Sequence, residues 1–591
     1  MCFRNSLLAV AGTAALLLLG SCGGGKITVT GELHEAVTVE PDYKDVTVPP
    51  NIAPLNFMAR LEGAEAETCV IIEGSRSGTS LQVRARAGKA FDIPQGAWRR
   101  LLEENRGADI TLTVCRKEAD GWKAYDPFPV HVAEEEADGY IAYRLLMSCF
   151  GQWNRMGIYQ RDISTFDQSV IYENSLTDYN CVNCHSFADR DPGQMLFHMR
   201  AKSPGTLLLR GGRMEKLNTG TPETLSALVY PYWHPGGRYV TASVNLTHQS
   251  FFYHHDNTVE VYDSDSDVVI YDTERHEIFS SPLLKQEGVF ETFPMFSPDG
   301  RSLYYLTAAA KQLPVEYREL KYSLCRVDFD LETRSLGEVA DTVLRATDFA
   351  RDSSTGAVAY KGAVIHPGFG FAASNTETGA ATSDGKGTGA DGATVADRNP
   401  SSDTTPALAV YSGAASNTAA VDGTGESPNN KKDMGIMGSS GMSVSFPRIS
   451  PDGQYLVFVL QEFGNFSAWH GDADLYALRL SDGAVYPLTE ANSDASESYH
   501  SWSSNSRWMV FSSRRIDGLY TRPYFAYVDK DGRAHKPFLL PQKDPVNYYE
   551  DMMEAYNLPE FIHGKVEVNP HDIATLMKDD KGIDVQYYSG E

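Results

Sequence analysis

Four segments in the second half of the chain carry the same pattern, and they constrain the fold more than any other feature. They are Tyr232-Trp233-His234-Pro235-Gly236-Gly237-Arg238-Tyr239-Val240, Phe296-Ser297-Pro298-Asp299-Gly300-Arg301-Ser302-Leu303-Tyr304, Ile449-Ser450-Pro451-Asp452-Gly453-Gln454-Tyr455-Leu456-Val457 and Trp502-Ser503-Ser504-Asn505-Ser506-Arg507-Trp508-Met509-Val510. Each runs from an aromatic or aliphatic residue through a turn into an apolar strand. In Ser-Pro-Asp-Gly the proline presets the first turn position and the glycine closes it, so the β-runs on either side fold back as a hairpin. Repetition at this scale signals stacked β-units, the blades of a propeller.

The pattern resembles the TolB-like, or PD40, β-propeller repeat, whose hallmark is a Ser-Pro-Asp-Gly turn leading into an apolar strand. Two copies match it fully; Gly236-Gly237 and Asn505-Ser506 replace its centre in the others. The resemblance covers residues 220–545 and implies six blades; with 371–440 left out, roughly 290 residues remain after His185 up to 545, enough for about six blades of about 45 residues each. Residues 371–440 are set aside: rich in Gly, Ala, Ser, Thr and Asp and almost without aromatics, they cannot bury enough apolar surface to offset chain entropy and read as a disordered loop.

At the N-terminus, Arg4 precedes an apolar run over 7–19, the length of a signal-peptide core and short for a bilayer span. Residues 1–21 read as that signal. Leu19-Gly20-Ser21-Cys22 followed by three glycines resembles the bacterial lipoprotein box, which implies acylation at Cys22; an ordinary secretory peptide with an incidental cysteine is the alternative. The membrane is then touched through a lipid anchor only. No acidic residue follows Cys22 directly, which leans toward the periplasmic face of the envelope over the cell surface. The formal net charge of −26 repels nucleic acid and anionic lipid.

Residues 22–143 alternate short β-rich runs (27–30, 69–73, 81–86, 110–114) with turn clusters and hold one helical stretch at 98–105. This spacing predicts a small β-sandwich with a helix. Cys69 and Cys115 fall in two of the runs and either pair across strands or stay as buried thiols. The tail, 546–591, reads as partly helical at 548–556 and 572–578, with no chemistry visible in it. The expected fold is therefore mainly β: a sandwich-like domain, a short segment over 144–219, then the propeller.

That segment carries the chemistry. Cys181-Val182-Asn183-Cys184-His185 is the Cys-x-x-Cys-His pattern of covalent haem attachment. Two thiols at this spacing meet the two vinyl groups of one porphyrin edge, and the adjacent histidine holds iron from below, giving one haem c. A zinc site would call for a second cysteine pair, which is missing; a thioredoxin-like disulfide would call for a βαβ context, also missing. Haem iron in electron carriers is held on both faces. Met195-Leu196-Phe197-His198-Met199-Arg200 offers His198 first, then Met195 and Met199, as the second ligand, and His234 is an alternative. Arg200 could pair with a propionate.

The stretches 153–161, 171–175 and 180–187, and Ser498-Tyr499-His500-Ser501-Trp502-Ser503-Ser504-Asn505-Ser506-Arg507-Trp508, also look like exported haem-motif TolB-like proteins of Bacteroidetes, whose role is poorly defined. No catalytic constellation stands out. His254-His255-Asp256 and Asp263-Ser264-Asp265-Ser266-Asp267 read as loop residues between blades, the latter lacking the glycine and distal glutamate of a calcium loop. Two functions compete: electron transfer to or from an envelope partner, and a non-enzymatic scaffold whose propeller face takes a protein, peptide or glycan while the haem is structural or sensory. An open iron position, as in a peroxidase, is a third.

Overall fold

The repeated turn owes its shape to three side-chain hydrogen bonds. In the copy at 297–300, Ser297 Oγ donates to Asp299 Oδ1 (2.6 Å) while accepting from Ser302 N (3.0 Å), and Asp299 Oδ1 also accepts from Arg301 N (3.0 Å). Gly300 then sits at φ +71°, where a side chain would be strained. Ser450 and Asp452 repeat this with Gly453, and Ser503 and Asn505 repeat it with Ser506 in the left-handed position. In the copy at 234–237 the serine is replaced by His234, whose Nδ1 accepts from Gly236 N (2.9 Å).

These turns join the two inner strands of successive sheets in a computed structural model that describes residues 26–61, 66–86, 88–147, 155–251, 259–352, 354–362 and 441–590. Residues 1–25, with the expected signal and Cys22, the low-complexity stretch 371–440 and His254-His255-Asp256 lie outside them.

Six antiparallel sheets of four core strands follow one another around an axis. From the innermost strand outward, the second blade is Cys181–Phe187, Gln194–Arg200, Gly205–Arg210 and Arg213–Asn218. The third begins at Val229–Trp233, the fourth at Val289–Phe296, the fifth at Ser443–Ile449 and the sixth at Glu497–Trp502. The first blade is composite: Tyr140–Met147, Met156–Asp162 and Gln168–Glu173 come from before the haem-type motif, and its innermost strand, Glu554–Ile562, comes from the C-terminal region. Each innermost strand touches the next, and Glu554–Ile562 touches both the sixth and the second, so the ring is closed. The fold is thus a mainly β, six-bladed propeller.

The boundaries differ from those expected in three places. Residues 220–545 build four blades, the third to the sixth; the other two come from 140–218 and the closing strand, so 144–219 is propeller and not a separate segment. The inner turn of the second blade, at 188–191, carries no Ser-Pro-Asp-Gly signature, and no turn joins the two inner strands of the first, which come from 140–147 and 554–562. Residues 554–562 are a strand, placed between helices Pro545–Asp551 (α2) and Pro570–Lys578 (α3). Asp263 to Asp267 lie inside the strand Val259–Asp272 of the third blade, not in a loop.

Neighbouring blades meet through apolar side chains. Val182, Phe187, Met195, Phe197 and Met199 of the second blade pack with Ile158 and Ile171 of the first and with Ile573 and Met577 of α3. Residues 26–133 form one seven-stranded sheet with a two-stranded partner, Thr38–Glu40 and Met58–Arg60. Helix Gln95–Glu104 (α1) buries Trp98, Leu101 and Leu102 in the same core as Val70, Ile72, Ile110 and Leu112 of the sheet. A helix and loop thus cover the sheet where a second large sheet was expected. Cys69 and Cys115 stand directly opposite one another, both buried and both free thiols.

Candidate functional site

Every innermost strand of the propeller is bent at the same level. In each, two residues stand opposite a single residue of the next strand, a β-bulge that tightens the local twist. The pairs are Leu558-Pro559, Cys184-His185, Tyr230-Pro231, Phe293-Pro294, Phe446-Pro447 and Tyr499-His500, from first to sixth blade. The first residue of each pair has φ between +44° and +55°. Proline suits the second position in four blades because the bulge leaves that N–H outside the ladder. In the remaining two the second residue is histidine.

The last two residues of the haem-type motif therefore lie on the wall of the central channel. Cys184 and His185 occupy the bulge of the second blade and, with Tyr230, Tyr232, Trp233, Phe446, Arg448, Tyr499, His500, Trp502 and Glu560, line a cavity of about 420 Å³ on the axis. A volume in this range suits a small-molecule or cofactor pocket. His185 is 5% exposed and neither ring nitrogen has a hydrogen-bond partner, a rare state for a buried imidazole. Burial, reinforced by the Arg144 guanidinium, pushes its pKa down to about 3, with the Leu558 backbone pulling slightly the other way. Its lone pair is thus free at neutral pH. Burial likewise raises the Cys184 thiol. Cys181 lies off the cavity wall, partly exposed, with Asn183 Nδ2 3.5 Å from its Sγ.

Two further groups on the wall carry no obvious signal in sequence. Glu560 accepts from Phe187 N (3.2 Å), and burial lifts its pKa to about 7 against the pull of that N–H, Arg448 and Arg190. Arg448 lies over the rings of Phe446 (4.0 Å) and Tyr232 (4.9 Å), a stacked placement that guanidinium tolerates. His500 was visible only as part of the stretch 498–508; superposing its repeat on Asn183-Cys184-His185-Ser186-Phe187 would have shown it to be the counterpart of His185.

The other expected ligands are not brought to the cavity wall. His198 is buried one strand out, its Nδ1 3.0 Å from Thr206 Oγ1, which itself meets Thr219 Oγ1 at 3.0 Å. Met195 and Met199 are fully buried on the face packed against the first blade. His234 serves the turn: Nδ1 accepts from Gly236 N and Nε2 donates to Gly300 O (3.1 Å), so both nitrogens are taken. Arg200 pairs across the strand ladder with Cys181, within electrostatic reach of Cys184, Tyr230 and Asp263. No three His, Cys, Asp or Glu side chains converge on a metal position among the described residues. None of the helices there is long and apolar enough to cross a membrane.

For the haem that the motif implies, the fit is good at two of three residues. Cys184 and an orphaned His185 border an aromatic-walled cavity, while Cys181 stands off that wall. No family model matches the chain, and no curated protein matches it. Among solved structures it is similar to hydrazine synthase of Kuenenia stuttgartiensis (TM-score 0.33, 10% identity, 69% of this chain and 47% of that one). It is also similar to the β-propeller domain of the Trilobed protease of Pyrococcus furiosus (0.28, 9%, 74% and 96%) and to dipeptidyl peptidase 4 of Porphyromonas gingivalis (0.26, 9%, 88% and 60%). The chain spans about half the length of the first of these. Likeness at these scores carries no argument about activity.

Proposed function

We propose that the channel of the propeller holds one covalently attached haem, with Cys181 and Cys184 forming the thioethers and His185 binding iron, and that the protein is an envelope electron carrier. The observation that carries this reading is the His185 ring, buried on the channel wall with both nitrogens unpartnered. Haem held in this way supplies a one-electron couple.

The chain's own contribution is positional. Burial keeps His185 neutral, the left-handed turn at Cys184 aims the Cys-His pair at the axis, and Tyr230, Tyr232, Trp233 and Trp502 exclude water from it. Arg448 places a guanidinium on the cavity lining, which suits carboxylates such as propionates, while Arg190 beside it is paired with Asp189 at 2.6 Å. Export and lipid anchoring at Cys22 complete the proposal and rest on sequence alone, as does an envelope redox partner.

The test is expression of the full chain with a haem-maturation system, followed by acid extraction. Colour that stays with the denatured protein at one haem per chain, and is lost in Cys181→Ala with Cys184→Ala, supports the reading; extractable haem or none overturns it. A second reading, a scaffold taking a peptide or glycan, is favoured by Trp233 and Trp502 together with the turn prolines Pro235, Pro298 and Pro451 on the cavity lining. It predicts tight ligand binding by colourless protein.

A further inference from the structure

Among the described residues three histidines carry a buried ring nitrogen with no partner: His185, His470 and His500. His470 lies off the cavity, and its Nε2 meets Glu260 at 3.1 Å. His185 and His500 both line it, on the second and sixth blades, which flank the composite first blade.

The chemistry of His500 is fixed by its surroundings. Its Nε2 is 2.9 Å from the carbonyl oxygen of Val457 in the fifth blade. A carbonyl can only accept, so Nε2 carries the hydrogen and Nδ1 of the neutral ring is a bare lone pair. That atom is buried and unpartnered. The arrangement is the one metal-ligating histidines use, one nitrogen donating to a backbone carbonyl and the other left for the metal. His500 is 1% exposed and occupies the bulge position that His185 occupies in its own blade, with Ser-aromatic following in both.

We propose that His500 is the second protein ligand to iron, giving bis-histidine coordination. The inference rests on the haem reading above and extends it. It replaces His198, whose Nδ1 is engaged by a hydroxyl, along with the two core methionines and His234. With His185 and His500 both available to hold iron, a haem bound there would transfer electrons and would leave no open position for small gases or peroxide.

The test is spectroscopic, on the full-length haem-loaded protein. The parent should be low-spin in both oxidation states, bind carbon monoxide slowly and show no near-infrared thioether-to-iron band. His500→Gly should be high-spin when ferric and bind carbon monoxide rapidly, and added imidazole should restore the low-spin spectrum. His198→Gly should keep the parent spectrum. A parent without covalent haem overturns the haem reading and this one together. A haem-bearing parent that is high-spin, or shows the thioether band, overturns the His500 assignment alone, as does His500→Gly that is low-spin without imidazole. Should His500→Gly fail to fold, His500→Met keeps six ligands and is expected to gain the thioether band; an unchanged spectrum refutes the assignment.

Discussion

Replacing Phe561 by alanine tests whether the C-terminal strand holds the ring shut. Phe561 is fully buried in that strand, registers against Ile141 of the first blade, and meets Phe525 of the sixth edge-on, with ring centroids 5.7 Å apart. Burying a phenylalanine removes about 150–250 Å² from water, which at about 25 cal/mol per Å² comes to roughly 4–6 kcal/mol as an upper bound. Alanine keeps the β-carbon but leaves a cavity, so the expected loss is about 3–5 kcal/mol. That is a large share of the roughly 5–15 kcal/mol by which folded proteins exceed their unfolded states. Urea unfolding followed by tryptophan fluorescence reads it directly: with a slope of about 3 kcal/mol per molar, the midpoint should fall by about 1–1.7 M. Val315→Ala, at a position 82% exposed, should change stability by less than about 0.5 kcal/mol. A Phe561→Ala midpoint within the scatter of that control would refute the view that 554–562 is an integral wall of the ring.

Gly300→Ala should cost about 1–2 kcal/mol for the left-handed backbone and about 1 kcal/mol more for displacing His234 from its carbonyl, because a Cβ there would sit 2.2 Å from His234 Nε2. Gly211→Ala, also at positive φ but facing open space, should show only the first loss in a thermal melt. Cys69 and Cys115, whose thiols burial pushes up to about 11 and about 12, should resist a thiol-specific reagent in folded protein and both react in urea. Reaction of either at the unfolded rate without denaturant would show that the sheet opens there.

Features whose cause is local were legible in the sequence. The turns at 297–300 and 450–453 are specified by four adjacent residues, and α1 starts directly after Pro94. The first two blades were not legible, for a matching reason: the inner turn of the second, Ala188-Asp189-Arg190-Asp191, lacks the signature, and the first has no such turn, because its two inner strands are 140–147 and 554–562. The strand at 554–562 is defined by partners more than 400 residues away. Nothing within a window of sequence records such a pairing. The same holds at the site. Cys184 and His185 were found through a linear motif, whereas Glu560, Arg448 and His500 reach the channel only because the blades superpose, and His198 lies close in sequence but one strand out from the axis.

The composite first blade also sets an order of assembly. Until Glu554–Ile562 is made, the edge of Tyr140–Met147 is unpaired and the strand bearing Cys184 and His185 has an open flank, since both lie against it. The barrel of blades is at that stage a split collar. On the haem reading proposed above, an enzyme acting on Cys181 and Cys184 would reach them through that slit. Arrival of the strand Glu554–Ile562 clasps the collar and converts a side entrance into a wall.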